Sequence, residues 1–213
     1  MNDISIEELK KQHFDNYKKS IIEIINNNSS ILVEKDIVSL LDRPPLDSMD
    51  TLKLKFFDIA KKNELLVNSE SIDKYLEEYR TNLLKLGSKI KDIRTSYLID
   101  KVNNYSSGPI RLFKKDFLDI NKILKSELKK GIILYFEKYI INNINLIFKN
   151  NLSNKDIENI KNILNDYINN CYLKQVINNI DNKVMIKDTI LINACKEATN
   201  RYLFTLNHSR LLN

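Results

Sequence analysis

Apolar side chains recur at steps of four and three residues over two long stretches of this chain. In the first, Ile72, Leu76, Tyr79, Leu83, Leu86, Ile90, Ile93 and Tyr97 follow one another without a gap. A helix with that spacing lays one seam against a neighbour. Ser69 is its expected cap, and its expected end lies near Asn104. The second stretch runs through Ile110, Phe113, Phe117, Ile120 and Leu124, then shifts phase to Leu128, Ile132, Tyr135 and Tyr139. Two successive steps of four are a stutter, which locally unwinds a supercoil. Gly131 lies beside it and marks an expected bend or break. Between the stretches, Tyr105-Ser106-Ser107-Gly108-Pro109 joins a helix stop to a helix start. A short loop between two seamed helices predicts an antiparallel hairpin.

Shorter elements flank the hairpin. Ser5 and Glu8 form a capping-box pattern. It opens a helix to about residue 26 whose expected inner face is Ile6, Leu9, Phe14 or His13, Tyr17, Ile21 and Ile24. A short helix over 33–41 should end at Arg43-Pro44-Pro45, because a residue before proline is pushed out of the helical region. Asp47 or Ser48 can cap the next helix, with Met49, Leu52, Phe56 and Ile59 inward and an end near Asn63. Leu65, Leu66 and Val67 then pack as a connector. Ser153 caps a helix that turns Ile157, Ile160, Leu164, Tyr167 and Cys171 inward. A turn at Asp181-Asn182-Lys183 precedes a last helix of about 20 residues. Ala194 and Ala198 lie four apart on it and allow a neighbour to approach closely.

The pattern predicts an all-α fold: an elongated multi-helix bundle with a long antiparallel helical hairpin. It divides into an N-terminal helical subdomain at 1–67 and an elongated bundle at 69–213. No flexible linker separates them, so the two can be continuous.

Composition agrees with helices. Three Gly and three Pro in 213 residues argue against a many-stranded sandwich or barrel. Ile, Asn and Lys supply 88 residues, so intrinsic propensity undercalls this chain and periodicity is the better guide. Cys171 and Cys195 make no disulfide framework and read as reduced thiols. The first residues include Asn2, Asp3, Glu7 and Glu8, with no apolar export segment. The most apolar window, 131–148, is interrupted by Glu137, Lys138 and three Asn. It is too polar to span a bilayer comfortably. A cytoplasmic protein without integral membrane insertion is expected.

Candidate chemistry is sparse. His13 and His208 are the two histidines, and neither has metal-ligand spacing to the cysteines. Glu7/Glu8 and Glu77/Glu78 lack the Glu-x-x-His partner that helical carboxylate metal sites use. The sequence therefore predicts no catalytic residue, metal or cofactor, and a protein that is not an enzyme. Charge offers more. Lys85, Lys89, Lys91, Arg94, Lys101, Arg111, Lys114 and Lys115 stand against Asp92 and Asp100, a local excess equal to the whole chain's +6. Those eight residues are a candidate polyanion-binding surface. The segment 202–212 stays apolar almost to the terminus, where tails ordinarily turn polar. It either docks into the core or offers Phe204, Leu206, Leu211 and Leu212 as partner anchors. The preferred reading is a helical scaffold or adaptor assembling with another protein or with its own copies. The alternative is a nucleic-acid-associated helical protein holding phosphates through 85–115.

Overall fold

The computed structural model describes residues 5–28, 49–149 and 151–211. The helix expected over 33–41, the proline corner, the caps Asp47 and Ser48, and Leu212 lie outside these residues, as do the side chains of Met49 and Leu211. The described chain is helical: α1 (Ile6–Asn28), α2 (Met49–Lys62), α3 (Ser69–Asn103), α4 (Lys114–Tyr139), a 3-10 turn (Ile141–Asn143), α5 (Ile144–Ile147), α6 (Asn154–Tyr167), a π-helical turn (Ile168–Tyr172) and α7 (Leu173–Leu211). The all-α expectation holds.

Local chemistry sets several ends. Ser5 and Glu8 cap α1 reciprocally, the Ser5 amide donating to Glu8 Oε2 at 2.9 Å and the Glu8 amide to Ser5 Oγ at 3.2 Å. Ser153 and Asp156 do the same for α6. The α3 cap is Asn68, not Ser69: the Asn68 carbonyl accepts from the Ile72 amide at 3.0 Å, and its side chain accepts from Ser71. Lys18 closes the other end of α3 by donating to the carbonyls of Asn103 and Tyr105 at 3.0 and 2.8 Å. Beyond it, Gly108 turns with φ +80°, which side chains other than glycine's resist.

Tertiary contacts divide the chain into two compact units interleaved in sequence, not the consecutive blocks 1–67 and 69–213. The first comprises Met1–Ile31, Lys91–Ile123 and Lys183–Asn213, and the second Leu32–Ile90 and Leu124–Asn182. Helices α3, α4 and α7 contribute residues to both.

In the first unit, Phe14, Tyr17, Ile21 and Ile25 of α1 pack with Leu98 and Val102 of α3, Phe117 of α4, and Leu191 and Cys195 of α7. Ile6 and Leu9, expected inward, are exposed in the opening turns of α1. The second unit buries Leu52, Phe56 and Ile59 of α2, the α3 seam from Ile72 to Ile90, and Leu124, Leu128, Ile132 and Phe136 of α4. Its connector residue Val67 makes an isolated antiparallel bridge with Phe148. The Asn68 and Lys149 amides donate to the Ile147 and Leu66 carbonyls, each at 2.7 Å, and fasten that bridge on both sides.

The hairpin is antiparallel in each unit. Lys101 pairs with Asp116 and Arg94 lies over the Phe117 ring in the first unit; Leu86 meets Gly131 and Tyr79 meets Phe136 edge-on in the second. Four details differ from the sequence expectation. Residues 109–113 are not helical, and α4 begins at Lys114. Its helix passes through Gly131 without a break, because the missing Cβ admits the Leu86 side chain instead of loosening the backbone. The expected turn at Asp181-Asn182-Lys183 is helix, inside α7. Cys171, expected inward, is exposed. The wider π turn before α7 carries the buried line from Leu164 to Ile168 and Tyr172.

Candidate interaction surfaces

A polar knot in the first unit positions α7 against α1. The Ile110 amide donates to Tyr17 Oη at 2.9 Å, and Tyr17 Oη lies 2.6 Å from Thr199 Oγ1. Thr199 Oγ1 also donates to the Cys195 carbonyl at 2.8 Å. In the non-helical residues 109–113, Ile110 thus finds in Tyr17 and Thr199 the partners a helix would have given it internally. Tyr202, one turn on, stacks on Tyr17 with ring centroids 4.2 Å apart and planes 5° from parallel. Beside this stack a groove of about 480 Å³ opens between α1 and α7, with His13, Tyr17 and Ser20 on one wall and Ala194, Ala198 and Arg201 on the other.

The C-terminal segment both docks and projects. Tyr202 is held in the stack and Leu206 is half-buried, while Phe204 is 63% exposed, its ring centroid 4.0 Å from that of His208. Of the two expected anchors whose side chains are described, Phe204 is the one exposed to solvent.

The eight basic residues separate. Lys85 and Lys89 belong to the second unit and are exposed. In the first unit Arg111, Lys114 and Lys115 are exposed and Lys91 is half-buried. Lys101 meets Asp116 at 3.5 Å and lies over the Tyr97 ring, and the contacts with Tyr97 and Asp116 hold its ammonium above the usual lysine range. Arg94 is turned inside. It is 1% exposed and paired with Asp188, so it offers no surface to a polyanion. The sequence left Arg94 off the seam because Ile90, Ile93 and Tyr97 continue the heptad. The buried line instead steps by four through Ile90, Arg94, Leu98 and Val102. A straight helix drifts against a seven-residue repeat, and here the inward face follows the drift.

Burial lowers the Arg94 guanidinium to about 10, with Asp188 opposing the shift. Burial also raises the Asp188 carboxyl, against the pull of Arg94 and of the Asn121 amide, which donates to Asp188 Oδ2 at 2.9 Å. Cys195 is pushed up to about 11 by burial and stays a thiol at neutral pH. His13 stands on the groove wall and His208 beside Phe204. Among the described residues no cluster of three or more His, Cys, Asp or Glu is arranged to hold a metal, and no described helix is long and apolar enough to cross a membrane.

No protein family matches the chain, and neither curated proteins nor solved structures give a match.

Proposed function

We propose that this chain is a non-enzymatic helical scaffold or adaptor, and that the solvent face of α7 is where it assembles with another protein or with its own copies. The observation that carries the reading is Phe204, a large aromatic residue left outside although its neighbour Tyr202 is stacked into the fold. A phenylalanine buried by a partner contributes about 1.5–3 kcal/mol from apolar area alone. Aromatic residues, phenylalanine among them, are enriched in protein–protein contacts. The buried side chains of the α3 and α4 seams are occupied within the fold.

The test is a photoreactive residue placed at 204, with one at the similarly exposed Phe113 as control, in cells that naturally make the chain. A discrete adduct from 204 and not from 113 is expected. Absence of a discrete adduct at 204, or equal labelling from both, contradicts the reading.

Charge supports a second reading, phosphate binding by the first unit. That unit contains sixteen basic and eleven acidic residues, which is +5 of the chain's +6. Lys91, Arg111, Lys114 and Lys115 are the candidate contacts. Such binding should weaken steeply with salt. Duplex DNA titrated at two salt concentrations, with these four residues changed to Glu, tests it. Affinity unmoved by either change removes this reading.

A further inference from the structure

We propose that a second copy of this chain is the occupant of the α7 face, the two α7 helices packing antiparallel about a two-fold axis at residue 199. The proposal rests on the assembly reading above and names its partner. Ile190, Ala194, Glu197, Arg201, Phe204 and His208 are spaced four, three, four, three and four along α7. That is one continuous stripe of a helix. It points away from Leu191, Cys195 and Thr199, which face the core. Ile190 is 53% exposed, Ala194 half-buried, and the remaining four are exposed.

The stripe is complementary to its own reverse. Antiparallel pairing about residue 199 sets 197 against 201, 194 against 204 and 190 against 208. Glu197 and Arg201 already approach to 3.9 Å along the helix within one copy; Glu197 of each copy then also meets Arg201 of the other, so opposite charges face each other twice. Phe204, the largest residue of the stripe, meets Ala194, the smallest. Ala194 is also on the groove wall with Ala198, so the incoming ring has space to enter beside it. Ile190 meets His208, whose ring already lies against Phe204. A parallel arrangement would instead set Glu197 against Glu197 and the two Phe204 rings against each other. Charge and shape therefore choose the same direction, and an isologous contact of this kind closes as a dimer without open-ended growth. The stripe of nineteen residues runs about 28 Å along the axis.

Sedimentation of the full chain over a concentration series tests this. A reversible monomer–dimer equilibrium is expected. Glu197→Arg sets like charges together on both sides of the axis, and with Phe204→Ala should each weaken the dimer about tenfold or more. Both sites are exposed, so helix content should not change. Glu197→Arg combined with Arg201→Glu restores opposite signs, and dimerisation should recover. A chain monomeric throughout, a dimer indifferent to Glu197→Arg, or a double variant without recovery overturns the proposal. A monomeric chain whose position 204 still labels a different protein would overturn it and leave the assembly reading standing; no adduct at all removes both.

Discussion

The Arg94 guanidinium and the Asp188 carboxylate form an ion pair between α3 and α7 within the first unit, with Asn121 of α4 on the second carboxylate oxygen. Arg94 also lies 5.6 Å from the centroid of the Phe117 ring. Three helices thus meet on one buried ion pair. Taking both charges out of water is costly, and the geometry of the pair offsets that cost only while both partners are present.

Removing one partner should therefore be worse than removing both. Arg94→Met leaves the Asp188 carboxylate buried beside an apolar chain and should cost about 3–5 kcal/mol. Arg94→Met with Asp188→Leu should recover most of that loss. Denaturant unfolding of the two variants and the parent checks it.

The pair also gives a pH dependence. Burial raises the folded Asp188 carboxyl above its ordinary value of 3.8, so the folded state holds this proton more tightly than the unfolded state. Its contribution is fully present below the ordinary value and is lost as pH rises through the folded one. Asp188→Asn should remove that fall from the stability profile over the weakly acidic range. Thermal unfolding followed across that range gives the comparison.

Tyr17→Phe keeps the ring stacked on Tyr202 but withdraws the hydroxyl from Ile110 and Thr199. The buried Ile110 amide loses its partner, at a cost of about 1–3 kcal/mol. Faster amide exchange at Ile110, with the second unit's exchange unchanged, is the expected signature.

Gly131→Ala tests whether that glycine serves close packing or flexibility. A Cβ there would press into Cδ2 of the buried Leu86. Alanine gains about 1 kcal/mol in helix propensity. Overpacking costs about 1–3 kcal/mol, so a modest net loss of stability is expected. Adding Leu86→Ala should relieve the clash, measurable as non-additivity in a double-mutant cycle.

Much of the architecture was legible because period outlives composition. The α3 seam from Ile72 to Ile90, the α1 capping box, the Ser153 cap of α6, and the hairpin across Gly108 all follow from spacing and capping chemistry. Failures came where tertiary partners overrode local pattern. Ile110 and Phe113 have helical spacing, yet Tyr17 and Thr199 hold Ile110 outside any helix. Asp181-Asn182-Lys183 looks like a turn by residue type alone, but helix continues through it. Arg94 was misplaced because a charged residue is not sought on an inner face, and its partner Asp188 lies 94 positions away. The α7 stripe was readable in principle as another run of four and three. The polar Glu197 and Arg201 at its centre hid it.

On the proposed function, Phe204 is reserved for a protein contact while the buried seam residues are spent inside the fold. Hydroxyl-radical footprinting measures it side chain by side chain, comparing the dilute purified chain with the chain in its native cell. Phe204 should react readily in dilute solution and be shielded in the cell, with Phe113 reactive in both. Phe204 reacting equally in both settings would contradict that role.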